Sequence, residues 1–258
     1  MPCAKVRIRF RKSGDLRLVS HHDLMRCFER MLRRAELPFH CSEGFHPKPR
    51  LVFALSLGLG IVGCEEVVEI ELDQELPAGE VHDRLAGQAP PGLEILTVSA
   101  IPPRLTAQVR RVTYRIAIPE DCAALGAEKT TALLASAEVW VERARQGKRL
   151  DIRPYLAGFR WPKGALEMDL WVTPTGTARP DEVLALAGLP DLLASGAVLE
   201  RIRLEIHDEC PGLEYPPLVS AKLTQRTEEP AAATAAADPP RSHRLPEPLV
   251  PGPLSFET

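Results

Sequence analysis

The 258-residue sequence lacks several features that would place it in a familiar class. No apolar run approaches the length of about 20 residues that a membrane-spanning helix needs, and the first residues lack the apolar core of a signal peptide. The six cysteines include no C-x-x-C pair, which argues against a disulfide framework or a zinc site. We therefore expect a cytoplasmic protein with reduced thiols and no membrane segment.

Motifs for cofactor chemistry are also scarce. The sequence contains neither the C-x3-C-x2-C pattern of one class of iron–sulfur cluster nor the G-x-x-x-x-G-K-[ST] loop that cradles phosphates. Lys plus Arg number 32 and Asp plus Glu 35, so the net charge of −3 excludes a polycation that coats nucleic acid along its whole length. We predict no cofactor, no metal site and no catalytic residue.

The sequence does contain apolar patterns with the periods of strands and of helices, and these patterns occur twice in the same order. Strands are predicted at 4–10, 51–57, 65–73 and 93–101, with helices at 21–36 and 79–87. The same order recurs as strands at 109–118, 138–145, 165–173 and 198–207, with helices at 121–135 and 180–195. Strand, helix, strand, strand, helix, strand is the ferredoxin-like order. We predict an α+β protein of two tandem ferredoxin-like units, each a mixed or antiparallel sheet with helices on one face.

The boundaries follow from proline and from composition. The first unit is predicted at 1–102 and the second at 103–226, after Pro102 and Pro103 break the chain. From 227 to 258 the chain holds seven Pro and six Ala without apolar periodicity. Such a segment buries too little apolar surface to offset its ordering entropy, so a disordered C-terminal tail is predicted.

Charged residues alternate along the predicted strands. Basic residues share one face of the first strand, and acidic residues share one face of the third: Lys5, Arg7, Arg9 and Arg11, and Glu69, Glu71 and Asp73. Because these strands are neighbours in a ferredoxin-like sheet, we expect the two rows to pair on an open, solvated face. In the second unit, Arg111 and Arg115 are expected opposite Glu167 and Asp169.

The first predicted helix carries cations of another kind. Ser20 and Asp23 form a capping pattern, and apolar residues from Leu24 to Ala35 fall in one arc of about 120°. The opposite arc carries four arginines, which we name the arginine ridge: Arg26, Arg30, Arg33 and Arg34. We expect this ridge to lack acidic partners within the chain, so it is either a solvated helix face or a site for an anion such as RNA phosphate.

The segment GFHPKPR at 44–50, here named the cationic loop, follows the helix. A glycine frees its backbone and two prolines stiffen it. An aromatic ring, an imidazole and two cations project from it: Phe45, His46, Lys48 and Arg50. Such a set can stack a base and hold its phosphate, whereas the alternative is a proline-rich turn with Phe45 packed inward.

These stretches carry a resemblance to a known family. The matching residues are Lys12-Ser13-Gly14, the run from Ser20 to Arg26, Glu29-Arg30, Arg33-Arg34-Ala35, Leu37-Pro38, the run from Gly44 to Arg50, and Asp151 to Tyr155. The sequence resembles the radical-SAM-linked proteins over about residues 3–225. That bacterial family has no settled activity, and its members are encoded beside, or fused to, a radical SAM protein with a cobalamin-binding-type domain. The resemblance implies such a partner and work on RNA or the translation apparatus, and it supplies no catalytic residue.

Together these observations predict a non-catalytic RNA-binding accessory protein that presents an RNA, such as tRNA or rRNA, to a radical SAM partner. The arginine ridge would hold phosphates, and Phe45, His46, Lys48 and Arg50 would grip a base and its backbone. One alternative is a module that docks on the partner without contacting RNA. Another is an RNA-processing or RNA-modifying enzyme that uses His46 or His21 as a general base.

Overall fold

The computed structural model describes residues 3–43, 45, 47–143, 147–210 and 223–225. Its helices are α1 (His21–Arg34), α2 (Ala78–Ala86), α3 (Glu120–Ala135) and α4 (Pro180–Leu186). Its strands are β1 (Ala4–Lys12), β2 (Leu51–Phe53), β3 (Val62–Leu72), β4 (Leu93–Ile101), β5 (Val109–Ala117), β6 (Trp140–Arg143), β7 (Lys148–Asp151), β8 (Leu156–Arg160), β9 (Ala165–Trp171), β10 (Leu199–Ile206) and β11 (Leu223–Gln225). No helix in this described part is long and apolar enough to cross a membrane.

Eight of these strands form one mixed sheet. The order is β4-β1-β3-β10-β5-β9-β8, and β2 pairs with β3 beside this path. Neighbours are antiparallel except β10 and β3, which run parallel where Glu200 aligns with Val62 and Arg201 with Gly63. A separate three-stranded sheet has the order β11-β7-β6. The protein is therefore a mixed α+β fold.

Alternation along the strands builds two apolar clusters. In the first, Ile8, Phe10 and Ile70 pack against Phe28 of α1 and Leu85 of α2. In the second, β5, β9 and β10 supply most of the buried side chains, and α4 supplies Val183 and Leu184. Since successive strand residues point to opposite faces, the charged alternates of β1 and β3 lie on the side away from α1 and α2.

The charged face is paired as expected only for Lys5 and Arg7, and there it is buried rather than solvated, whereas Arg9 pairs with Glu209 and Arg11 is exposed. Lys5 Nζ lies 2.7 Å from Glu69 Oε2 and Arg7 Nη2 lies 2.8 Å from Glu69 Oε1. Lys5 and Arg7 are only 4% and 3% exposed, which overturns the expected open face. The cover comes from distant segments, since Lys5 Nζ also donates to Leu105 O at 2.6 Å and Arg7 Nη1 to Asp208 at 2.8 Å.

The charge pairing expected in the second half is only partly correct. Arg115 aligns with Glu167 across β5 and β9. Arg111 instead aligns with Trp171, and its guanidinium binds Glu205 of β10 through Nε at 3.0 Å and Nη2 at 2.7 Å. Asp169 accepts from Thr113 Oγ1 at 2.6 Å and pairs with Arg160 of β8.

Three predicted elements differ from the structure. The strand expected at 138–145 is β6, which pairs with β7 in the small sheet, while β8 takes the place beside β9. The helix expected at 180–195 ends at Leu186, because Gly188 adopts a φ of +80°. The strand expected at 51–57 ends at Phe53. The predicted tail at 227–258 lies outside the described residues.

Candidate nucleic-acid interface

Helix α1 begins with the predicted cap. The Asp23 backbone N–H donates to Ser20 Oγ at 3.2 Å, and the Ser20 hydroxyl donates to Asp23 Oδ2 at 2.7 Å. The bond from Ser20, with the nearby Arg26 guanidinium, holds the pKa of the Asp23 carboxyl below its usual range. Both side chains therefore serve the start of the helix.

The arginine ridge lies on the solvent side of α1. Leu24, Phe28, Met31 and Leu32 are buried, and all four arginines are exposed. Arg26 is the exception to the expected lack of acidic partners, since its Nη1 lies 3.2 Å from Asp23 Oδ1. Arg30 Nε donates to the Arg26 carbonyl at 3.2 Å. Within the described residues, Arg30, Arg33 and Arg34 form no ion pair with a carboxylate, including Glu29.

The ridge has two sides. Arg30 and Arg34 line a cleft beside the turn that follows α2. Arg33 turns the other way, and its guanidinium carbon lies 5.5 Å from the centre of the Phe39 ring. Phe39 immediately precedes the arm that carries the cationic loop, so this end of the ridge adjoins that loop.

The cationic loop is held by two paired arms. Ser42 N donates to Lys48 O at 2.8 Å, Lys48 N to Ser42 Oγ at 3.1 Å, and Arg50 N to His40 O at 2.8 Å. Beyond these bonds the Phe45 side chain is fully exposed, so the alternative of an inward-packed ring is wrong. Lys48 is exposed as well. Gly44 and His46 lie outside the described residues.

Arg50 has a partial acidic partner in the chain. Its Nη1 lies 3.6 Å from Glu71 Oε2, and half of its side chain is exposed. The guanidinium therefore keeps donors directed at solvent while Glu71 restrains it.

A further histidine lies at the base of the loop. His40 Nδ1 is 2.6 Å from Asp73 Oδ1. The carboxylate orients the imidazole, as in many histidine–aspartate pairs. The two residues are 33 positions apart, so no local spacing could have connected them.

His21 is poorly placed to act as a cation near neutral pH. Its ring meets the Phe53 ring edge-on at 5.0 Å. Burial lowers the pKa of His21, and nearby His22 and Lys12 lower it further. We interpret the residue as part of the packing between α1 and β2.

One glycine motif has a structural explanation. Gly58, Gly60 and Gly63 match the G-x-G-x-x-G spacing of dinucleotide-binding loops, in which the loop leads into a helix. Here Gly63 lies inside β3, so the motif offers no helix N-terminus to a phosphate. Nor do the described residues bring together three His, Cys, Asp or Glu side chains that could hold a metal ion.

Comparison with known proteins gives a family. The model of an uncharacterized protein family conserved in bacteria, DUF2344, matches residues 5–180. The chain belongs to this family. The DUF2344 match includes the arginine ridge and the cationic loop, and it ends at the first residue of α4.

Other comparisons add little to DUF2344 membership. No protein with a curated description matches the chain. Among solved structures, the crystal structure of an unknown protein from Galdieria sulphuraria matches over 79% of this chain and 98% of that chain, at 13% identity and a TM-score of 0.24. At that score the similarity carries no argument about fold or function.

Proposed function

We propose that this DUF2344 member binds RNA and presents it to a radical SAM partner enzyme, without supplying a catalytic residue itself. The observation that carries the proposal is the exposure of Arg30, Arg33 and Arg34 with no ion pair to a described carboxylate. Solvated helix faces commonly balance such cations with acids one turn away, whereas here Glu29, one turn before Arg33, forms no ion pair with it. Three unbalanced guanidiniums favour a polyanion, and phosphates match the geometry of the guanidinium fork.

The cationic loop supports the same partner. Phe45 is a fully exposed aromatic ring at a loop whose arms are hydrogen-bonded, and Lys48 is close to it in the chain. A base can stack on such a ring while the ammonium contacts a phosphate. Because Arg33 packs over Phe39, the ridge and the loop offer adjoining contacts to one strand.

Two parts of the proposal, the partner enzyme and the ferredoxin-like units, rest on sequence resemblance and on strand order. The radical SAM partner rests on the sequence resemblance, which is strongest in the first 75 residues. The interpretation as two ferredoxin-like units is supported by the strand orders β4-β1-β3-β2 and β10-β5-β9-β8. In both orders the last strand of the unit lies beside the first, and the third lies between the first and the second. In this arrangement α1 is the first helix of the first unit.

The test is a triple substitution of Arg30, Arg33 and Lys48 by Ala in the full chain, with binding to unfractionated tRNA measured by filter retention. Each phosphate contact contributes about 0.7 to the slope of log affinity against log salt for single strands, so losing three contacts lowers that slope by about 2. We expect weaker binding and this flatter salt dependence.

The matched control removes the same charge elsewhere. Arg104, Lys148 and Lys163 are exposed and lie away from α1 in the sequence, so their substitution by Ala changes net charge equally. Unchanged binding in the ridge variant, or equal loss in both variants, contradicts the proposal. Co-purification with the partner enzyme that survives RNase and fails only in the ridge variant would show a docking module instead.

A further inference from the structure

An open cleft of about 650 Å³ lies beside α1. Four α1 residues spaced four, three and four positions apart line it: Asp23, Cys27, Arg30 and Arg34. This spacing puts them in one row along the helix. The remaining lining comes from Gly87–Pro90 after α2, from Met31, and from Leu16 and Val19 before α1.

The backbone fixes the borders of this cleft. Ser13 N donates to Gly92 O at 2.8 Å, which ties the segment before α1 to the turn before β4. Gly92 has a φ of +88°, and a Cβ there would lie 2.6 Å from Ser13 O. Only glycine permits this close approach, so Gly92 maintains the tie between the two segments that flank the cleft.

The charges along the row are uneven. Arg30 and Arg34 place two guanidiniums one helical turn apart at one end, and at the other end the Asp23 carboxylate already binds Ser20 and Arg26. Burial raises the pKa of the Cys27 thiol between them, against the opposing effect of the two arginines. The thiol is therefore neutral and leaves the positive potential of the guanidiniums intact.

We propose that this cleft takes one unpaired nucleotide, with its phosphate on Arg30 and Arg34 and its base against Leu16, Val19 and Pro90. Two guanidiniums one turn apart can donate to different oxygens of one phosphate. Asp23 disfavours a second phosphate at the other end, where the apolar lining suits a flat ring. The inference rests on the proposed RNA-binding function, because it takes the nucleotide to be part of bound RNA.

The experiment titrates the full chain with each of the four ribonucleoside 5′-monophosphates and follows binding by calorimetry. The variant Arg30→Ala/Arg34→Ala is compared with Arg104→Ala/Lys163→Ala, which removes equal charge from exposed positions outside both the ridge and the cleft. Charge-assisted hydrogen bonds to phosphate predict at least about a tenfold loss of affinity in the first variant. We expect less than about a twofold change in the second, since neither residue lines the cleft.

Further titrations distinguish the contribution of the phosphate from that of the base, and a free nucleotide from a nucleotide of RNA. Inorganic phosphate and a nucleoside are each expected to bind more weakly than the monophosphate, because each lacks one half of the contacts. No monophosphate binding, an equal loss in both variants, or inorganic phosphate binding as tightly as the monophosphate would overturn the inference. If any of these results is accompanied by tight tRNA binding, the proposed RNA-binding function is still supported and only the inference about the cleft fails. Monophosphate binding without tRNA binding overturns that function and assigns the cleft to free nucleotides.

Discussion

Arg201 has one of the largest side chains among those fully buried in the described chain. Its Nε donates to Glu66 Oε1 at 2.8 Å, and its Nη2 also binds Glu66. Its remaining donors reach Leu55 O and Ser56 O, each at 3.2 Å. These partners all lie between residues 55 and 66, whereas a further partner, Tyr114 Oη at 3.5 Å from Nη1, belongs to the second half. Arg201 therefore links the two halves of the main sheet.

We predict that Arg201→Met strongly lowers the free energy of unfolding, because it leaves the Glu66 carboxylate buried without its partner. The expected loss is about 3–5 kcal/mol by urea denaturation, and Arg201→Met/Glu66→Leu should lose less than the single variant. The exposed pair of Arg84 and Glu80 is the control, and Arg84→Ala should cost less than about 1 kcal/mol. A similar loss in both single variants would contradict the explanation.

Some residue-level features could be predicted from sequence and others could not. The pairing of Lys5 and Arg7 with Glu69 follows from alternation, since antiparallel neighbours present the same face to each other. Their burial does not follow, because the cover comes from residues about 100 to 200 positions away. For Phe45, the only sequence signal of a projecting side chain is the pair of prolines in the same loop. The structure shows that the ring is exposed and not packed inward.

At the scale of elements, α3 shows how one glycine sets a contact between layers. Gly126 is buried in this helix, and the Trp161 indole lies against it. Trp161 Nε1 also donates to Thr130 Oγ1 at 3.1 Å, one turn further along the helix. The missing side chain therefore makes room for the ring, and the threonine fixes the ring's orientation.

Two glycine-to-alanine substitutions should have opposite effects. A Cβ on Gly126 would overlap the Trp161 ring, so Gly126→Ala should destabilise the protein by about 1–3 kcal/mol despite better helix propensity. Gly79 of α2 is exposed with nothing near its Cβ position, so Gly79→Ala should stabilise it by about 0.5–1 kcal/mol. Urea unfolding measures both, and a stabilising Gly126→Ala would contradict the packing described.

Element predictions were most accurate where a periodic pattern was long. The bounds of α1 agree within two residues, because Ser20 marks the start and the apolar arc runs unbroken to Ala35. By contrast, β8 is short and holds a glycine in its centre, Leu156–Arg160, so its sequence gives little sign of a strand. The sequence analysis instead assigned the position beside β9 to the more apolar segment around Val139 and Val141.

At the scale of the whole molecule, ion pairs connect the two halves of the sheet as well as backbone hydrogen bonds do. Only two residue pairs connect β3 with β10. Alongside them, Arg7 of β1 binds Asp208 and Glu209 just after β10, each at 2.8 Å. A network with these short contacts and a buried guanidinium couples the halves more firmly than surface pairs would.

The halves should therefore unfold together. All three tryptophans lie at or after residue 140, so their fluorescence reports only the second half, whereas far-ultraviolet circular dichroism reports both. We predict coincident urea transitions by the two probes, the usual sign of a single cooperative unit. Arg7→Met should lower both midpoints equally. Separate midpoints in the unaltered protein would show two independent domains.

The central claim is that the arginine ridge and the cationic loop form the surface that holds RNA. Its most direct test is ultraviolet crosslinking of the full chain to unfractionated tRNA, followed by mass spectrometric mapping of the attached peptides. We predict attachment within residues 26–50, with a large loss of yield in Phe45→Ala because the exposed ring stacks on a base. Attachment confined to segments outside this range, or no attachment at low salt, would contradict the account.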